Sequence, residues 1–165
     1  MAFERNSHCS FCGHPFTADQ AWPRICAACE QTSYLNPLPV AVVLLPVDDG
    51  LLLVRRSIPP KQGMLALPGG YINQGESWQA AGAREVREET GVVIDPDEIQ
   101  DFRVLSAPDG TVLIFGIAKS RALADLPAFA ATDEASECVV LQVPQDLAFD
   151  LHQQVVEEFF SRSAA

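Results

Sequence analysis

Gly70-Tyr-Ile-Asn-Gln-Gly-Glu-Ser-Trp-Gln-Ala-Ala-Gly-Ala-Arg-Glu-Val-Arg-Glu-Glu-Thr-Gly-Val92 is the stretch from which the rest of the chain can be read. Its second half places Glu85, Glu88 and Glu89 at i, i+3 and i+4, and a helix turning about 100° per residue puts three such carboxylates on one narrow face. Such a face repels itself unless a cation sits on it. Mg²⁺ takes oxygen ligands, and when held through a few carboxylates it completes its shell with water and substrate phosphates. The chemistry this suggests is metal-assisted attack on a phosphoanhydride. Ser77 is suited to N-cap the helix and Gly91 to end it at C′. Gln79, Ala83 and Val86 form the side expected to pack while the carboxylates stay open, and Arg84 lies four residues before Glu88, within reach to orient it. An acidic, Arg-rich helix is often only solvated surface, but a solvated face requires neither the Gly70–Glu76 loop nor the Gly91 stop.

Gly70, five residues, Glu76, seven residues, and then Arg84-Glu85-Val86-Arg87-Glu88-Glu89-Thr90-Gly91-Val92 resembles, with no position missing, the Nudix box of the Nudix hydrolases. The resemblance implies an α+β fold, an α/β/α sandwich with a mixed β-sheet between helices. It also implies Mg²⁺ or Mn²⁺ held by Glu85, Glu88 and Glu89, with Glu76 binding a further ion or its water shell and a backbone carbonyl near Gly70 joining the metal shell. In the family the general base is a box glutamate or an acidic residue on a later loop. Asp133-Glu134-Ala-Ser-Glu137 supplies Glu134 and Glu137 as candidates here, not separable from sequence, the plainer reading being an acidic surface loop.

Cys9, Cys12, Cys26 and Cys29 form a C-x2-C pair, a gap and a second C-x2-C pair, the spacing of a zinc ribbon in which two knuckles offer four thiolates to one tetrahedral ion. Without a secretory signal such a pattern reads as Zn²⁺ binding rather than disulfides. A module this small lacks apolar burial, so the metal would supply its folding energy. Its charges are few and mixed, so the role expected is structural or dimer-forming, leaving a homodimer open, rather than contact with nucleic acid. His8 and His14 read as ordinary surface or second-sphere histidines, and Cys138 as a small buried hydrophobe. The expected domains are a ribbon over 1–36 and a catalytic domain over 37–165.

At 165 residues and 48% hydrophobic content the chain can bury a core. No apolar run reaches membrane-spanning length, and Met1-Ala-Phe-Glu-Arg has no signal-like apolar segment, so the expected location is cytoplasmic with no membrane partner. A net charge of −11 argues against a phosphate-backbone grip on nucleic acid. An acidic protein acting on an anionic substrate needs metal ions to bring the two together.

Asn36-Pro-Leu-Pro39 reads as a stiff connector. Val40–Val47 and Leu51–Arg55 read as strands joined at Asp49-Gly50, Val92–Ile94 as the start of another, and Phe102–Ser106 with Thr111–Lys119 as a second hairpin. Glu137–Val143 completes the strands. A closing helix over Asp150–Arg162 carries Leu151, Val155, Val156, Phe159 and Phe160 at helical spacing. Arg55 and Arg56, at a strand end, are candidate contacts to a phosphate or base.

The ribbon followed by Tyr34-x-Asn36-Pro37-x-Pro39-Val40 resembles both NADH pyrophosphatases and FAD or ADP-ribose pyrophosphatases. The NADH enzymes carry Ser-Gln-Pro-Trp soon after the box, and residues 93–110 contain nothing like it. Glu134-Ala-Ser-Glu137 leading to Val143-Pro-Gln-Asp-Leu-Ala-Phe149 looks like the FAD and ADP-ribose group. The expected substrate is therefore a small nucleotide, FAD, ADP-ribose or a similar ADP-containing dinucleotide, cut to release AMP. The alternatives are an NADH pyrophosphatase, a nucleotide-sensing regulator using its ribbon on DNA, or a module that only binds nucleotide. Leu65 stands where many family members have Trp, a departure that touches no expected ligand.

Overall fold

The computed structural model describes residues 5–163, and the chain divides into two compact units, Met1–Pro37 and Leu38–Ala165. Among the described residues no helix is long and apolar enough to cross a membrane.

The first unit contains little regular structure. β1 (Arg24–Ile25) pairs antiparallel with β2 (Thr32–Ser33), and two loops repeat one hydrogen-bond pattern. Cys9 N–H donates to His14 O at 2.8 Å and Gly13 N–H to Cys9 O at 3.0 Å. In the second loop Cys26 N–H donates to Gln31 O at 3.0 Å and Glu30 N–H to Cys26 O at 2.9 Å. Both turns need positive φ at the residue after the second cysteine, supplied by Gly13 at 73° and, less comfortably, by Glu30 at 59°.

The second unit is built on β3 (Leu38–Val47), whose length lets it serve several partners. It runs antiparallel to β4 (Gly50–Arg56) near its C-terminal end and to β6 (Gly69–Tyr71) near its N-terminal end, and parallel to β8 (Thr111–Ile117). β5 (Leu65–Ala66) and β9 (Ala135–Leu141) pair with β4, and β7 (Gln100–Ser106) pairs with β8, completing a mixed seven-stranded sheet. Strand periodicity sorts the apolar side chains to two faces. Val42 and Leu44 join Leu51, Leu53 and Phe115 beneath Val155 and Val156 of α2 (Asp150–Ser163). Val43, Leu45 and Val47 join Leu52 beneath Ala83 and Val86 of α1 (Trp78–Thr90). The result is the α+β sandwich expected, a mixed sheet between two helices.

Three local readings are corrected. The β3–β4 turn is Asp48-Asp49, not Asp49-Gly50, because Val47 pairs with Gly50 and Asp48 takes the positive φ of 47°. Val92–Ile94 is not a strand: Val92 and Ile94 are buried against the α1 side while Val93 is exposed. Asp95 then caps a single 3₁₀ turn, Pro96–Glu98. The alternation was real, but burial of a loop produced it. The last strand also starts and ends two residues earlier than Glu137–Val143.

Candidate active site

Ser77 caps α1 by accepting the Ala80 N–H at 3.1 Å, and Gly91 closes it at φ 77° by donating to Arg87 O at 2.9 Å. These caps fix where the helix starts and stops, and packing of Ala83 and Val86 on the sheet sets its rotation and therefore where its carboxylates go. The expectation that all three stay open is corrected. Glu85 and Glu89 are 8% and 6% exposed, since they lie on the sheet-facing side beside Val86, and only Glu88 reaches solvent.

Each buried carboxylate meets the β6 backbone. Glu89 Oε2 accepts the Gly69 N–H at 3.0 Å. Gly70 lies so close to Glu85 that a Cβ there would sit 2.4 Å from its carboxylate oxygen, which is a physical reason for glycine at the first position of the motif. Burial raises the pKa of Glu85 and raises that of Glu89 to about 8, with the nearby charges of Glu85 and Glu134 adding to the Glu89 shift.

Arg84 is the one guanidinium among them. Its Nη1 donates to Glu85 at 2.6 Å and to Glu88 at 3.2 Å, while Nη2 donates to Glu76 at 2.9 Å and to Tyr71 O at 3.0 Å. Glu76 also accepts the Asn73 N–H at 2.6 Å, and its pKa is held low by Arg84 first and by that N–H second. Glu76 thus anchors Arg84, with both carboxylate oxygens engaged. The donor set of Glu85, Glu88 and Glu89 is hard oxygen, partly buried and short of positive charge, and a divalent cation fits it.

Of the later acidic residues, Glu134 lies near enough to raise the pKa of both Glu85 and Glu89, and its carbonyl accepts the Ser57 N–H at 2.8 Å. Glu137 is ion-paired with Arg55 Nε at 2.7 Å. Arg55 donates also to Gly63 O at 3.0 Å, so it is turned to its own hairpin. Arg56 instead lines a cavity of about 670 Å³ that opens beside Gly69, Gly70 and Tyr71, within the size range of small-molecule sites. Its guanidinium lies 5.0 Å from the centre of the Phe149 ring, and its Nε donates to Pro60 O at 2.9 Å.

His152, on the same cavity wall, was not singled out from sequence. It is buried, and its Nδ1 accepts the Leu67 N–H at 3.2 Å. Its ring meets Phe115 edge-on at 5.6 Å and Phe149 at 5.1 Å. Burial first, and the Arg56 charge second, lower its pKa to about 3. The signal was present in the helical spacing, because His152 falls three and four residues before Val155 and Val156.

In the first unit Cys9, Cys12, Cys26 and Cys29 place their sulfurs within 4.8 Å of one another, with Cys9···Cys29 at 3.7 Å and Cys12···Cys26 at 3.6 Å. Tetrahedral zinc with bonds of about 2.3 Å requires sulfurs about 3.8 Å apart, so the set can hold zinc. The Cys12 backbone N–H, with help from that of Phe11, draws Cys9 down to about 6. Among the described residues this is the one group of three or more ligand atoms so closely gathered; the box carboxylates stand wider.

A NUDIX domain model matches residues 36–157. The chain belongs to the NUDIX family. Among its NUDIX relatives, the NAD-capped RNA hydrolase NudC of Edwardsiella ictaluri is 36% identical over 89 residues, 53% of this chain and 34% of that protein. The matched segment spans about a third of such relatives. The crystal structure of a NUDIX hydrolase from Nitrosomonas europaea superposes with a TM-score of 0.79 at 25% identity, covering 96% of this chain and 92% of that one. The NUDIX domain of Shewanella oneidensis NrtR, solved with ADP ribose, gives 0.64 at 25% identity over 79% of this chain and 90% of that one.

Proposed function

We propose that this NUDIX protein hydrolyses an ADP-linked diphosphate, ADP-ribose, FAD or a similar dinucleotide, releasing AMP and the other phosphate ester. The observation that carries the reading is the adjacency of the box carboxylates to a cavity bounded by Gly69 and Gly70 and floored by apolar side chains. Glu85, Glu88 and Glu89 would hold Mg²⁺ or Mn²⁺, which when bound neutralises phosphate oxygens and lowers the pKa of water.

The protein's own groups divide the remaining work. Arg84, anchored by Glu76, holds Glu85 and Glu88 in place. Arg56 offers its guanidinium to a phosphate at the cavity wall. Glu134 accepts the proton of the attacking water as the new P–O bond forms and the bridging P–O bond breaks; Glu137, paired with Arg55, takes no part. Cys9, Cys12, Cys26 and Cys29 hold a structural Zn²⁺.

The NrtR domain solved with ADP ribose supports the ADP-ribose class. The NudC relatives favour a second reading, hydrolysis of the nicotinamide dinucleotide or of RNA capped with it; the net charge of −11 weighs against a grip on RNA. A panel of ADP-ribose, FAD, NADH, diadenosine polyphosphates and nucleoside triphosphates, read by AMP or phosphate release with Mg²⁺ or Mn²⁺, separates them. The highest kcat/KM should fall on ADP-ribose or FAD, and a preference for NADH would transfer the assignment to the second reading.

A further inference from the structure

His152 combines features that a purely structural histidine does not need. The ring is buried in the wall of the large cavity, and its Nδ1 lone pair is taken by the Leu67 N–H. That bond fixes the tautomer, because Nδ1 can accept only if the ring proton sits on Nε2. Nε2 has no hydrogen-bond partner among the described residues, and yet among them no sealed side-chain nitrogen or oxygen lacks one. Nε2 is therefore not sealed in protein, and on a residue this buried the opening is the cavity it lines.

The surroundings state what such a donor would meet. Val42, Leu67 and Leu113 make the cavity apolar behind it, and Phe149 stands beside the imidazole with its ring at 5.1 Å. Arg56 covers Phe149 and, with Lys61, brings positive charge to the cavity. Lys61, Asp109, Thr111 and Asp150 line the same cavity, but beside His152 an oriented N–H next to an aromatic ring and aliphatic side chains suits a flat group with an acceptor on its edge.

We infer that His152 is a specificity-determining residue whose Nε2–H donates to a ring nitrogen of the substrate's adenine, held in the cavity between Phe149 and the apolar floor. The inference rests on the ADP-linked reading of the substrate. Leu67 then acts through His152, since its backbone N–H sets the tautomer that makes the donor.

Two variants separate this role from packing. His152→Asn can keep an oxygen facing the Leu67 N–H but falls short of the Nε2 position. His152→Gln can carry an N–H to that position while giving up the Leu67 bond. For ADP-ribose, His152→Asn should raise KM about tenfold with kcat changed less than about twofold, and His152→Gln should recover most of that loss despite a lower melting temperature. A structural role predicts the reverse order. On the intact protein labelled with ¹⁵N-histidine, AMP should shift the His152 Nε2 resonance and ribose 5-phosphate should not. This second measurement decides the matter if neither variant folds.

An unmoved His152 signal at saturating AMP, a signal moved by ribose 5-phosphate instead, or a normal KM in His152→Asn would overturn the inference. If AMP moves the signal while the wild type turns over no ADP-ribose, base recognition by His152 stands and the proposed reaction fails by itself.

Discussion

Gly70 and Glu85 are in contact at a distance that leaves no room for a side chain: a Cβ on residue 70 would lie 2.4 Å from the Glu85 carboxylate. The strand that enters the motif and the helix that carries its carboxylates are thus fitted to each other through one missing methyl group. Gly70→Ala should displace Glu85, weaken Mn²⁺ binding and lower kcat at fixed metal by about 10²-fold, while the melting temperature falls by only a few degrees. Titration with Mn²⁺, followed by calorimetry and by rate, checks this. A variant with unchanged metal affinity would remove Glu85 from the ligand set.

The buried position of Glu89 has a consequence for stability. Its pKa is raised from 4.5 to about 8 in the folded protein, so between these values the native state keeps a proton that the unfolded chain has lost. Stability of the metal-free protein should therefore be greatest below about pH 4.5 as far as Glu89 contributes, and that contribution should decline as the pH rises towards 8. Mg²⁺ should offset the decline by displacing the proton. Melting curves from pH 5 to pH 9, with and without Mg²⁺, should diverge in the wild type and run closer together in Glu89→Gln.

Glu134 and Glu137 look alike in sequence and differ in the fold. Glu134→Gln should lower kcat by about 10²- to 10⁴-fold and remove the acidic limb of the rate profile. Glu137→Gln should leave kcat within a few-fold, since the bond it loses is to Arg55 on the neighbouring strand. If both enzymes are nearly normal, the base is one of the box glutamates.

Cys26→Ser should abolish zinc binding and unfold the first unit at a lower temperature than the second. Elemental analysis of the wild type should give one zinc per chain. A wild type purified without chelators and free of zinc would contradict the assignment.

Much of this was legible in the sequence because the carriers of information were local. The Ser77 and Gly91 caps, the apolar spacing of Val155 and Val156 and the paired cysteine knuckles each depend on neighbours within a few residues. What was not legible depended on contacts across the sheet. The three carboxylates read as one open face, yet packing of α1 on β6 buried two of them and left Glu88 outside. Arg55 and Arg56 read as equivalent, but successive strand residues point to opposite sides, so one pairs with Glu137 and the other reaches the cavity. Val92 and Ile94 imitated a strand because a loop buried alternate side chains. His152 gave a helical signal that only the cavity beside it made meaningful.

Metal-dependent cleavage by the box carboxylates is read from the rate of AMP release from ADP-ribose as Mg²⁺ is titrated, in the wild type beside Glu88→Gln. The rate should rise with Mg²⁺ to saturation, vanish on chelation and fall by about 10²- to 10³-fold in Glu88→Gln with the melting temperature preserved. An ADP-ribose complex that resists melting but yields no AMP at any Mg²⁺ concentration, or a Glu88→Gln enzyme as fast as the wild type, would contradict it.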